Sequence, residues 1–256
     1  MKYAIMSDVH SNPVALEAAL ADAKALGCGR FVMLGDTTGY GYDVKASLKL
    51  VRSGFDIVLM GNHDSAALGR EPDLIMRLND NYDIDAAQGR TLTKCETDWL
   101  GKLPFVHAEG GAAFVHGNFV RPESWDYVMD EASALASFRA RTERLMFCGH
   151  THAAEVWELS DVGRKCVRMT LFKSAALKPE SKGFKPKKGC RYIVNVGSVG
   201  YPRHDLCSTY VIWDTEADRV TFRRLPFDFK GYINGMLANK LKLPRWLLEL
   251  LLAATK

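Results

Sequence analysis

Short apolar runs alternate with amphipathic stretches over the first third of the chain. Lys2 to Met6 is an apolar run of strand length that stops at Ser7-Asp8. Val14, Leu16, Ala18, Leu20, Ala23 and Leu26 then recur at helical spacing, behind Asn12 as N-cap and Pro13 at the first helical position, and Gly27 ends the run. Arg30 to Leu34 predicts a second strand, Asp43 to Arg52 a second helix and Asp56 to Met60 a third strand. Such β-α-β-α-β alternation calls for a parallel sheet with crossover helices, in which ligands bind at the C-terminal ends of the strands. The middle is less regular. Helices are expected over 71–85, 96–101 and 130–142, with strands at 105–108, 112–116 and 145–148. From residue 155 the pattern becomes mostly β, with strands expected at 155–159, 165–171, 191–195, 208–214 and 219–225, before a helical end over 232–254 broken at Pro244. No repeat or linker interrupts the 256 residues, so the reading is one domain with the C-terminal helices from 230 to 256 packed on it.

Composition excludes more than it specifies. Apolar residues make 47% and charged residues 25%, the balance of an ordinary globular chain. The net charge of +4 is too small to argue for nucleic acid. None of the six cysteines forms a C-x-x-C pair, which speaks against a thiolate zinc site. The N-terminus has no long apolar core before Asp8, and the stretch from Trp246 to Ala254 is too short to span a bilayer. A cytoplasmic location, with no membrane partner, is the default expectation.

The chemistry sits where the strands end. Five polar boxes each follow an apolar run: Asp8-Val9-His10, Gly35-Asp36, Gly61-Asn62-His63-Asp64, His116-Gly117 and Gly149-His150-Thr151-His152. Singly, each reads as a cap, a turn or a satisfied core histidine. Together they hold five of the seven histidines, all at strand mouths of the kind that one sheet edge can aim at a single point. Asp, Asn and neutral His form a mixed O/N donor set suited to Mn, Fe, Zn, Ni or Co rather than to calcium.

In order and content these boxes resemble those of the calcineurin-like metallophosphoesterases. The stretches Gly35-Asp36-Thr37-Thr38-Gly39-Tyr40-Gly41 and Asn195-Val196-Gly197-Ser198-Val199-Gly200-Tyr201-Pro202-Arg203 are similar to the bacterial and archaeal branch of YfcE-type phosphodiesterases. The resemblance runs from Lys2 to about Asp214. It implies an α/β fold of two mixed β-sheets flanked by helices, four layers in the order αββα. It also implies a binuclear centre of two divalent transition-metal ions, manganese foremost. Asp8, His10 and His152 would hold the first ion, with Asp36 bridging, and Asn62, His116 and His150 would complete the second. A hydroxide held between the ions would attack a phosphodiester or a small phosphomonoester. His63 would protonate the leaving group, and Asp64 would orient that histidine. Val196 departs from the Asn-Pro-Gly usual at this place. The arginine of the Gly-Asp-x-x-Asp-Arg-Gly pattern is missing, which argues against the phosphoprotein phosphatase and dinucleoside polyphosphatase alternatives. A non-catalytic scaffold of the same fold is the rival from another class, and the complete ligand set speaks against it.

Weaker signals remain. Arg203 could contact a phosphate or make a surface ion pair. Tyr40 and Tyr201 could stack on a substrate base or simply pack. His107 and His204 read as structural. The six lysines between Lys173 and Lys188 read as a solvated mobile loop, with a basic lid over the site as the alternative. Trp246, Leu247, Leu250 and Leu251 form an apolar stripe that suits docking on the core. The expected partner is a small phosphate ester, a nucleotide included, with no specific nucleic-acid binding and either a monomeric or a homo-oligomeric state.

Overall fold

A computed structural model describes residues 1–70, 82–160, 165–170, 180–203, 207–226, 228–243 and 248. Two six-stranded mixed sheets face each other. The first runs β3-β2-β1-β11-β12-β9 and is built from β1 (Lys2–Met6), β2 (Arg30–Met33), β3 (Ile57–Val58), β9 (Glu180–Phe184), β11 (Cys207–Asp214) and β12 (Arg219–Pro226). The second runs β4-β5-β6-β10-β7-β8. Its strands are β4 (Val106–Glu109), β5 (Ala112–Val115), β6 (Leu145–Cys148), β7 (Ala154–Ser160), β8 (Lys165–Thr170) and β10 (Cys190–Val196). Strands β1, β2 and β3 are parallel, as the β-α-β-α-β alternation requires, and β11 joins β1 antiparallel. In the second sheet β5, β6 and β10 are parallel.

The sheets are buried on both faces, which is why their central strands read as unbroken apolar runs. In β1, Tyr3 and Ile5 point into the space between the sheets, where they meet Phe114, Phe147, Val194, Val211 and Trp213. Ala4 and Met6 point the other way, onto α1 (Pro13–Ala25), whose Leu16, Ala19, Leu20 and Ala23 form the matching stripe. Burying a side chain such as Leu16 contributes roughly 1.5–3 kcal/mol, so α1 is held by this face and by the Asn12 side chain, which accepts from the Ala15 N–H at 3.2 Å. On the second sheet, Ala113, Val115, Met146 and Ile193 pack under Ala134 and Phe138 of α6 (Glu131–Ala140). The four layers are therefore helix, sheet, sheet, helix, as the motifs imply.

The remaining helices are α2 (Val44–Gly54), α3 (Asn62–Ala67), α4 (Tyr82–Thr91), α5 (Lys94–Leu100) and α7 (Phe229–Ala238). Helix α3 begins inside the Asn62 box itself. Helix α4 overlaps only the end of the expected 71–85 helix, the first part of which lies outside the described residues. Tyr232 and Met236 anchor α7, packed with Tyr42, Leu241 and Leu243. The stripe at Trp246, Leu247, Leu250 and Leu251 lies outside the described residues, as does His204. No described helix is long and apolar enough to cross a membrane.

The lysine segment departs from its reading as a loop. Residues 180–184 form β9 on β12, with Phe184 opposite Val220. Their polar side chains carry no alternating apolar signal, so nothing in the sequence marks a strand. The lid alternative also fails for Lys185, Lys187 and Lys188. Lys187 donates its backbone N–H to Tyr192 Oη (3.0 Å), and Pro186 O accepts from Arg144 Nη2 (2.6 Å). Arg144 precedes β6, whereas His150 and His152 follow it, so Lys185, Lys187 and Lys188 sit at the opposite end of the second sheet, about 20 Å away along β10. Lys182 and Lys187 are moreover paired with Glu180 (3.1 Å) and Glu158 (2.9 Å).

Candidate metal centre and active site

Seven side chains from the two sheets converge where β1, β2, β6 and their neighbours end. They form two clusters. Asp8 Oδ1 lies 3.2 Å from His152 Nε2 and 3.6 Å from His10 Nε2, and the two imidazole nitrogens are 3.2 Å apart. His116 Nε2 lies 3.1 Å from Asn62 Oδ1, 3.1 Å from His150 Nδ1 and 3.3 Å from Asp36 Oδ2. Asp36 Oδ2 is also 3.6 Å from His10 Nε2, so one oxygen belongs to both clusters. Donor atoms about 2.1 Å from a common ion lie roughly 3.0–3.5 Å apart. These spacings match such a shell, as do the Asp8–His10–His152 and Asp36–His116–His150 groupings.

The backbone holds each donor in a ligating form. Asp8 Oδ2 accepts from the His150 N–H (3.0 Å) and Asp36 Oδ1 from the His63 N–H (2.9 Å). The other oxygen of each carboxylate is buried without a hydrogen-bond partner and faces the clusters. An unsatisfied buried carboxylate oxygen costs several kcal/mol unless something positive meets it, so these orphaned atoms fit a cation. His10 Nδ1 donates to Thr38 O (3.0 Å), His152 Nδ1 to Tyr201 O (2.6 Å) and His150 Nε2 to Trp125 O (2.8 Å). Each bond fixes the tautomer that leaves the other nitrogen's lone pair toward the cluster. The fourth histidine, His116, has no partner at Nδ1.

Local conformation carries the same message. Asp8, His10, Asp36, His150 and His152 all adopt positive φ, between 49° and 67°. Non-glycine residues enter that region at a cost of about 1–2 kcal/mol each, and five such residues at one spot mark a functional constraint. Gly61 is needed for a different reason, because a Cβ there would sit 2.1 Å from Asp36 Oδ1.

Electrostatics follow from crowding. Burial pushes the imidazoles of His10 and His150 down to about 3, so both are neutral, the form that binds metals. Burial opposes the charge of Asp8 as well, yet His152, His10 and His116 hold its carboxyl well below the usual carboxylate range. Asp36 is lowered in the same way, against burial, by His116 and His63. Burial would lower His116, but Asp36 outweighs it and raises its pKa to about 9. A proton there does what a bound cation would do.

His63 stands beside this set, its ring 4.8 Å from that of His10. Its expected partner needs correction. Asp64 does not touch the imidazole; its two oxygens accept the backbone N–H groups of Asp36 (2.8 Å), Thr37 (3.0 Å), Thr38 (3.0 Å) and Gly61 (3.1 Å). Asp64 therefore shapes the loop that presents Asp36. The carboxylate at His63 Nδ1 belongs to Asp85 on α4, at 3.0 and 2.9 Å. In the sequence Asp85 is one acid among the polar residues of an irregular stretch, with no motif to mark it. Burial would lower His63, but Asp85 and Asp36 raise it to about 9, which keeps it protonated at neutral pH.

Tyr40 and Arg203 flank the centre. The Tyr40 ring stacks on Tyr201 (4.2 Å, 14°) and packs against His10 and His63, each at 4.5 Å. Its faces are spent on these contacts rather than free for a base, which leaves the hydroxyl, 3.4 Å from Arg203 Nη2. His107 pairs with Glu109 (3.2 Å) on β4, a structural role. Asn195, ahead of the departure at Val196, still clamps the site by donating to Gly149 O (2.6 Å).

Comparison with known proteins agrees with this geometry. Residues 1–218 match the calcineurin-like phosphoesterase superfamily domain. The chain is 30% identical over 253 residues to the uncharacterized protein MJ0912 of Methanocaldococcus jannaschii, covering 96% of this chain and 95% of that one. It superposes on a metallophosphoesterase from Sphaerobacter thermophilus with TM-score 0.79 at 30% identity, over 94% of this chain and 95% of the other. The hypothetical protein PH1004 of Pyrococcus horikoshii OT3 shares the fold with TM-score 0.69 at 16% identity, over 98% and 97% of the two chains.

Proposed function

Since the chain belongs to the calcineurin-like phosphoesterase superfamily, we propose that it hydrolyses a phosphodiester or a small phosphomonoester at a pair of divalent transition-metal ions, manganese foremost. The observation that carries this reading is the orphaned oxygen Asp36 Oδ2, which lies within reach of both donor clusters. Asp8, His10 and His152 would hold one ion, Asn62, His116 and His150 the other, and Asp36 both. Bound there, the cations would polarise the phosphoryl oxygens and supply the nucleophile from water at neutral pH. The chain's own residues do the rest. His63, charged and aimed by Nε2, donates a proton to the departing oxygen. Asn62, a neutral donor, spares the site a third carboxylate and so favours an anionic ester.

Metal analysis tests the reading. The purified protein is expected to hold close to two transition-metal ions per chain, to lose turnover of p-nitrophenyl esters after dialysis against a strong chelator, and to regain it with Mn²⁺. A protein that binds no transition metal and gains nothing from added Mn²⁺ is not a metallophosphoesterase.

Arg203 is the proposed contact for the substrate's anionic oxygens, with the Tyr40 hydroxyl beside it. Its guanidinium is half-buried, its Nη2 within reach of that hydroxyl. A hydrogen bond to a charged group contributes about 1.5–3 kcal/mol, so Arg203→Ala should raise KM roughly 10- to 100-fold with both metals retained. Steady-state kinetics on one ester decides it, and an unchanged KM removes Arg203 from the substrate site.

A further inference from the structure

We infer that Asp85 is the positioning residue of His63, and that helix α4 exists in its observed place to deliver it. The inference rests on the phosphoesterase reading above, in which His63 protonates the leaving group. Asp85 is fully buried, and both of its oxygens lie within hydrogen-bond distance of His63 Nδ1. A buried carboxylate is expensive unless it is paired and hydrogen-bonded. This one spends both oxygens on a single imidazole nitrogen.

Three features aim it. The first is the space in front of it. Gly39 has φ +90°, and a Cβ at that position would sit 2.6 Å from His63 Nδ1 and 2.9 Å from Asp85 Oδ1. Any other residue at 39 would push the pair apart. The second is Gln88, one turn along the same helix. Its Oε1 accepts from the Gly39 N–H (2.8 Å) and from Ser11 Oγ (2.9 Å), and its Nε2 donates to Gly41 O (2.9 Å). One side chain thereby pins α4 to the loops that carry His10 and Asp36. The third is Gly89, where a Cβ would lie 1.9 Å from Ala67 O, so α4 crosses α3 in backbone contact. Helix α3 is the element that carries His63. The nearer acid in sequence, Asp64, has both oxygens committed to backbone N–H groups and cannot do this work.

Held this way, His63 keeps its proton on Nδ1 toward Asp85 and turns Nε2 to the substrate. The rival account is a buried ion pair that only fastens α4 to α3. The two accounts differ in what a variant loses. In the Mn²⁺-loaded enzyme, Asp85→Ala and the isosteric Asp85→Asn should lower kcat for an alkyl phosphate ester about 10- to 100-fold, the range seen when a metal-ligating histidine loses its orienting carboxylate. Turnover of the matching p-nitrophenyl ester, whose leaving group needs little protonation, should fall much less. KM and the content of two metals should stay as in wild type. Equal losses on both esters, or a loss that tracks falling metal content or melting temperature, would assign Asp85 to structure alone and overturn the inference, as would no loss at all. Imidazole ¹H–¹⁵N correlation spectra of the Zn²⁺-loaded protein provide a readout independent of turnover. His63 should show a hydrogen-bonded Nδ1–H in wild type that Asp85→Ala removes, and an unchanged His63 signal overturns the inference. Should wild type hydrolyse neither ester, the proposed function fails while the spectra still decide the pairing.

Discussion

Asp36→Asn is expected to abolish turnover and to leave the protein unable to hold its second metal. Asp36 Oδ2 lies within reach of both clusters, 3.6 Å from His10 Nε2 and 3.3 Å from His116 Nε2. Two divalent cations in one site repel each other, and a negative charge shared between them is what offsets that repulsion. An amide oxygen keeps the shape and removes the charge. Metal-ion catalysis supplies several kcal/mol of transition-state stabilisation, and each 1.36 kcal/mol is tenfold in rate, so the loss should be roughly 10³-fold or more. The fold should survive, because the backbone N–H of residue 36 still reaches Asp64 Oδ2 and an amide oxygen can still accept from the His63 N–H. Metal analysis, circular dichroism and turnover measured on the same sample settle the matter. A variant that keeps two metals and wild-type rates would show that Asp36 is not shared.

His63→Ala should separate chemistry from metal binding. His63 adjoins Asn62 in sequence, yet its Nδ1 faces Asp85 and the start of helix α3 turns the two side chains in different directions. Losing a general acid costs typically about 10²–10⁴-fold in rate. The metals should remain. An alkyl ester should suffer the full loss, and a p-nitrophenyl ester much less. His116→Ala should contrast with this by lowering metal content and rate together, since its Nε2 lies at the centre of the second cluster. The comparison needs metal content and turnover for both variants on both esters. If His63→Ala releases a metal, or slows both esters alike, the proton-donor role is wrong. The Asp85 variants should reproduce the His63→Ala pattern at smaller amplitude, because they disturb the donor without deleting it.

Much of this centre is legible in the chain alone, for a physical reason. A strand buried on both faces must be an unbroken apolar run, as in Met6 and its neighbours or in Leu145 to Cys148. Where such a run stops, backbone direction is set and the next side chains face the sheet edge. Asp8, His10, Asp36, His116, His150 and His152 all follow runs of this kind, so their convergence could be anticipated from local pattern. The left-handed conformations of five of the seven donor residues could not. They arise because loops from two sheets must fit around one point.

What only the tertiary structure decided is every pairing between segments that no local pattern links. Asp64 and Asp85 are both acids near His63, one adjacent and one 22 residues away, and sequence proximity favours the wrong one. The start of α3 turns Asp64 back onto the Asp36 loop, while Gln88 and Gly89 set α4 so that Asp85 arrives instead. The lysine segment shows the same limit from the other side. Its charge is plain in the sequence, but only the parallel register of β6 and β10 places Lys185, Lys187 and Lys188 at the end of the sheet away from the donor clusters. Composition and periodicity report which face of an element is buried. Which elements meet depends on long-range packing, and there the shape of a glycine gap or the reach of one glutamine decides.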